Sequence, residues 1–221
     1  MWSRRSLMSG LGAAATLVFG SRAANAQTPA PAQVSAPPAP SAFQPARHPQ
    51  DDWFDKIPGK HRIVLDATTP TGVGEAMGFA GNLFTGSKSG YNLDDGDLAM
   101  IICLRHSATV FGFSDQLWAK YGKAMAEAVK YTSRTGDVPT ANPFNAEPRK
   151  QFESLAKRGV QFMVCDTASH RFARTLAGTG DGEAVYKEMA ANMIPSSRFV
   201  PAGVIGVTRA QEHGFSLLFV G

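Results

Sequence analysis

Of the two cysteines and five histidines of this sequence, Cys103, Cys165, His106 and His170 fall where chemistry at neutral pH could use them. Cys165 closes an apolar run, Val160-Gln161-Phe162-Met163-Val164-Cys165, and a helical pattern follows it. A thiol at a strand end, just before a helix, meets that helix's first amides, which favour thiolate and raise the fraction able to attack sulfur. His106 and His170 are the groups that would accept or hold a proton beside it. A small buried hydrophobe is the competing account of Cys165, because that is the common fate of free cysteines. Cys103 lies among isoleucine and leucine within Leu98–Leu104 and reads as core. Two cysteines are too few for a disulfide framework. An oxidising compartment would permit one Cys103–Cys165 bridge, but both residues fall in apolar runs rather than exposed loops.

Other chemistries find less support. Cys165, His106, His170 and Met163 together would form a soft donor set for copper or zinc, yet no tight Cys-x-x-Cys or His-x-x-x-His spacing accompanies them. Gly72-Val73-Gly74 precedes a helical pattern, as a phosphate loop would. The motif is incomplete, however, and close helix packing accounts for its glycines. No Ser-His-Asp order and no paired carboxylates stand out, and no resident cofactor is expected. Arg105 and Arg209 suit ion pairs at a sheet edge better than substrate clamps.

The elements that must position these residues follow from periodicity. Apolar runs at His61–Asp66, Leu98–Leu104, Val160–Cys165, Arg198–Pro201 and Phe215–Val220 predict five strands. Helical spacing predicts helices over 72–88, 115–131, 149–158, 169–177, 183–193 and 204–212. Leu98–Leu104 is apolar on both faces, as in a central strand of a parallel sheet covered by helices. Strands alternating with helices make parallel βαβ units, hence an α/β/α three-layer sandwich. Thr132–Pro148 is a polar excursion long enough for a lid or a partner-binding loop, and Trp53-Phe54 is a lead-in that packs its aromatics on the domain. In an open parallel sheet, ligands bind outside the carboxyl ends of the strands. That edge gathers Asp66, His106 and Cys165, with Pro201-Ala202-Gly203 on the same rim; Asp66 and Gly203 are therefore candidate ligand contacts.

The chain begins with an export signal. Ser3-Arg4-Arg5-Ser6-Leu7-Met8 holds adjacent arginines, Leu11–Gly20 is a short apolar run, and Ala24-Asn25-Ala26 has the small-x-small form of a cleavage site. The run is about half the roughly 20 residues a membrane span needs, so residues 1–26 are expected to direct twin-arginine export to the periplasm. Residues 27–50, rich in Pro and Ala, read as a disordered tether, and 51–221 as one α/β domain. The formal charge of +4 falls to +1 without the signal, nineteen basic side chains then facing eighteen acidic ones. That balance excludes a nucleic-acid or anionic-membrane binder.

Several local words resemble the DsrE/DsrF-like family. They are Gly159-Val160-Gln161-Phe162-Met163-Val164-Cys165, the close Phe199-Val200-Pro201-Ala202-Gly203-Val204 with Arg209-Ala210-Gln211-Glu212-His213-Gly214-Phe215, and the middle stretch Arg105-His106-Ser107-Ala108 with Leu117-Trp118-Ala119-Lys120-Tyr121. The resemblance covers roughly residues 60–221. It implies a five-stranded parallel sheet, assembly as a homo- or hetero-oligomer with a sulfur or redox partner, and a persulfide-bearing cysteine matching Cys165. Export and the continuation Asp166-Thr167-Ala168-Ser169-His170 depart from the family's pattern. The expected function is therefore periplasmic sulfur or thiol handling, sulfurtransferase-like if catalytic. The alternatives are a non-catalytic module binding a metal or small ligand, and a structural subunit of a periplasmic redox complex.

Overall fold

A computed structural model of the protein describes residues 44–145 and 150–221. The expected signal, and the tether up to residue 43, lie outside the described residues. Five strands, β1 (His61–Ala67), β2 (Leu98–Leu104), β3 (Gln161–Cys165), β4 (Ser197–Val200) and β5 (Ser216–Phe219), form one sheet in the order β4-β3-β2-β1-β5. Every pairing is parallel, with His61 opposite Leu98, Ile101 opposite Gln161 and Phe162 opposite Ser197. The helices are α1 (Pro70–Tyr91), α2 (Asp115–Ala128), α3 (Gln151–Lys157), α4 (Asp166–Ala177), α5 (Gly182–Ala191) and α6 (Gly203–Glu212). The fold is thus an α/β/α three-layer sandwich.

Strand order dictates which helix covers which face. The chain steps from β1 to β4 in one direction, so its crossovers share one side of the sheet; the return from β4 to β5 runs the other way and places α6 opposite. The two apolar clusters divide in that manner. Leu65, Met100, Ile102, Leu104, Phe162 and Val164 pack with residues of α1 to α5, whereas Val64, Ala99, Ile101, Cys103 and Met163 pack with Val207 and Ala210 of α6. Phe54 and Ile57 complete the second cluster, so the lead-in shields this face as expected. All seven residues of β2 are buried, the outcome expected of a strand apolar on both sides.

Thr69 caps α1, its Oγ1 accepting the Gly72 amide at 3.0 Å, and Pro70 opens the first turn. The amides of Thr68 and Thr69 both donate to the Gly221 carbonyl, at 2.6 and 3.2 Å. A Cβ on Gly72 would sit 2.3 Å from the Val220 carbonyl oxygen. Close packing therefore accounts for these glycines, Gly72 meeting the Val220–Gly221 backbone and Gly74 the Phe144 ring.

The excursion after α2 differs from the lid that its polarity suggests. Asn142 is fully buried, and its Nδ2 donates to the carbonyls of Phe111 and Phe113, each at 2.8 Å. Phe144 stacks edge-on against Phe111, with centroids 5.1 Å apart. Residues 132–145 contain no helix or strand, yet this clamp fastens them to the domain. Residues 146–148 of the excursion, and the expected start of the third helix at 149, lie outside the described residues.

No described helix is long and apolar enough to cross a membrane.

Candidate functional site

The carboxyl ends of β3 and β4 are where the chain divides, α4 leaving toward one face and α6 toward the other. Such a switch point opens a crevice that needs no special residues to form it. An open cavity of about 380 Å³ lies there, lined by Arg105 and His106 after β2, Cys165, Thr167, Ala168, Arg171 and Arg174 on α4, and Ala202-Gly203-Val204 after β4.

Cys165 stands at its base as the N-cap of α4, in extended backbone, and its Sγ accepts the Ala168 amide at 3.4 Å. Sulfur here takes the role usually played by a serine or aspartate oxygen. Ser169 Oγ donates to the Cys165 carbonyl at 2.9 Å, and Thr167 ties the start of α4 to the end of β4, its Oγ1 donating to the Pro201 carbonyl at 2.7 Å. Both cysteines are free thiols. Cys103 is wholly enclosed under α6, where its Sγ–H donates to the Gly203 carbonyl at 3.7 Å. Burial pushes the Cys103 thiol well above its ordinary range, the nearby Asp66 carboxylate adding to the effect. It stays protonated and belongs to the core.

Asp66 does not line the cavity. It is 3% exposed and holds the Arg105 guanidinium through two parallel bonds, Nε to Oδ1 at 2.7 Å and Nη2 to Oδ2 at 2.8 Å. This fork-on-fork pairing fixes the arginine's plane, with the hydrogen bond to Asp66 raising the arginine's already high pKa. Gly203 makes the arrangement feasible, because a Cβ there would fall 2.3 Å from the Arg105 Cβ. Asp66 thus acts on the site through Arg105, which is both the ion-pair partner expected from sequence and a lining residue, whereas Gly203 lines the cavity itself as well as making room for Arg105.

His106 lines the cavity, is exposed, and holds a left-handed backbone at φ 55°. No hydrogen bond joins its ring to Cys165 among the described residues. His170 is not brought to the site. It stacks on Tyr186 with ring centroids 3.7 Å apart and lies 3.8 Å from Asp166 through Nε2, on the side where α4 meets α5. Tyr186 donates its hydroxyl to Asp166 at 2.5 Å, and burial, helped by that bond, pushes its pKa up to about 12. His170 is therefore part of a helix-packing cluster and is corrected out of the catalytic set. Met163 is buried beneath α6, so the soft donor set is not assembled. Among the described residues, no group of three or more His, Cys, Asp or Glu stands together as a metal site.

The electrostatics of the cavity come from residues that sequence reading passed over. Arg171 and Arg174 lie exposed on α4, and neither forms an ion pair among the described residues. Among the described residues, no carboxylate lines the cavity. The spacing Thr167, Arg171, Arg174 (i, i+4, i+7) marks one helix face. It becomes visible once α4 is started at Asp166 instead of Ser169.

No protein-family model matches the chain, and no curated protein matches it either. Among solved structures it is similar to a protein of unknown function from Methanobacterium thermoautotrophicum, MTH1491, at a TM-score of 0.42 and 13% identity, over 72% of this chain and 99% of that one.

Proposed function

We propose that this protein is an exported, DsrE-like sulfur handler of the periplasm that carries sulfane sulfur as a persulfide on Cys165. The observation supporting this most is the placement of the thiol. Its Sγ caps α4, and the residue, 7% exposed, lines an open cavity at the sheet's switch point, while the other cysteine is wholly enclosed in the core. A donor's sulfane sulfur entering the cavity meets the Cys165 sulfur, and the terminal sulfur of the resulting persulfide carries its negative charge among guanidinium groups. His106 is the lining group able to take the thiol's proton.

Intact mass measured under non-reducing conditions after incubation with polysulfide tests the reading. Wild type and Cys103→Ser are expected to gain the mass of one or more sulfur atoms, reversed by reductant, and Cys165→Ser to gain none. A wild-type thiol that polysulfide leaves unchanged would remove the carrier function.

A second reading, assembly with another subunit, is favoured by the sheet edge. Leu217, Leu218 and Phe219 of β5 are 42%, 40% and 60% exposed, on an edge strand with no charged or proline residue to blunt it. A second copy of the chain offers the same unpaired edge. Light scattering is expected to give at least twice the monomer mass, falling to the monomer value in Leu218→Lys; a wild-type monomer at high concentration would dismiss the edge as an interface.

A further inference from the structure

We infer that the sulfur donor this cavity takes is a small oxyanion-bearing sulfane sulfur compound of the thiosulfate class, bound by Arg171, Arg174 and Arg105 with its outer sulfur toward Cys165; the inference rests on the carrier reading above. Arg105, Arg171 and Arg174 line the cavity, and among the described residues no carboxylate does. One of them, Arg105, is held in a fixed plane by Asp66. The other two form no ion pair among the described residues, the Arg171 guanidinium lying over the Phe172 ring at 5.0 Å, and both stand on a helix whose first turn points its amides to the same end of the sheet. An uncharged thiol or a neutral disulfide would leave those charges unused, whereas a sulfonate head presents oxygens to paired N–H donors. Arginine at i+6 and i+9 from the thiol also fixes a direction: the oxyanion end lies outward along α4 and the reacting sulfur lies inward, at its N-terminus.

The transfer balances without another reactant. The Cys165 thiolate attacks the outer sulfur of thiosulfate, a Cys165 Sγ–S bond forms, and the S–S bond of thiosulfate breaks. Sulfite leaves with the bonding electron pair, so the total charge is unchanged. The thiol's proton goes to solvent or to His106.

The experiment compares two donors on the full mature chain. Thiosulfate is expected to load Cys165 in wild type with sulfite released in equal amount. In Arg171→Gln/Arg174→Gln, the thiosulfate concentration for half-loading should rise at least about tenfold and by a larger factor than that for polysulfide, an anion without the oxyanion head, while an unchanged melting temperature reports an intact fold. Added salt should weaken thiosulfate loading of wild type more than that of the double variant. Thiosulfate that loads both proteins equally overturns the inference. So does wild type that accepts polysulfide but not thiosulfate, and then the carrier reading stands alone. If neither donor loads, the carrier reading falls, and calorimetry with Cys165→Ser decides the pocket's own preference: no thiosulfate binding, or binding unaffected by the arginine substitutions, overturns that as well.

Discussion

Arg105→Met is expected to destabilise the domain by about 3–5 kcal/mol, the usual result of leaving a buried charge, here Asp66, without its partner. Methionine keeps most of the stem that packs on Gly203, so the loss is chiefly electrostatic. Asp66 is 3% exposed and is bonded through both oxygens, among the described residues, to Arg105 alone. Without the guanidinium its carboxylate must stay charged in the interior or take up a proton. The double variant Asp66→Leu/Arg105→Met removes both charges and is expected to recover most of the stability, because apolar replacement of a buried pair is often neutral or better. It should not recover thiosulfate loading, since the cavity has still lost one of its three guanidinium groups. Denaturant unfolding of wild type and the two variants measures the first effect, and mass spectrometry the second. A loss below about 1 kcal/mol in Arg105→Met would mean that the pair positions the arginine without contributing to stability.

The order of elements was legible because burial in this fold is extreme. Leu98–Leu104 admits no polar residue, so only a doubly covered strand suits it, and the alternation of such runs with helical spacing leads to a parallel sheet. The edge strand β5 was legible as well, although it runs from Ser216 to Phe219 and not from Phe215 to Val220. Strand ends then placed Asp66, His106, Cys165 and Gly203 along one rim from the sequence alone.

The start of α4 was harder to see, and the error propagated. Helix N-termini are found by serine, threonine, aspartate or asparagine caps, and here the cap is the thiol of Cys165. A helix started at Ser169 leaves out Thr167, the first member of the row Thr167, Arg171, Arg174. In the true register His170 pairs with Asp166, four residues back, and Tyr186 of α5 covers it. Asp66 was placed at the right end of its strand but given a ligand's role, because periodicity locates a carboxylate without revealing that Arg105 saturates it.

Asn142→Asp should cost about 3 kcal/mol or more at neutral pH, although it changes no heavy-atom shape. The argument is one of donors. Asn142 Nδ2 supplies both of its hydrogens to the carbonyls of Phe111 and Phe113, and its Oδ1 accepts the Phe144 amide at 3.1 Å. A carboxylate keeps the last bond but cannot make the other two, which leaves two buried acceptors unsatisfied at about 1–3 kcal/mol each. It also sets a charge against those carbonyl oxygens and near Asp115, whose Oδ1 already accepts the Asn142 amide at 2.9 Å. Every such neighbour disfavours ionisation, so the new carboxyl has a folded pKa above its unfolded one. The sign follows: a raised carboxyl pKa means that stability is retained below the unfolded value of about 3.9 and lost as pH rises through the folded value. The gap in melting temperature between Asn142→Asp and wild type should therefore widen from acid toward neutral pH, and residues 132–145 should become sensitive to protease as the clamp opens. A variant as stable as wild type at neutral pH would show that the excursion is free of the domain, restoring the lid that its polarity first suggested.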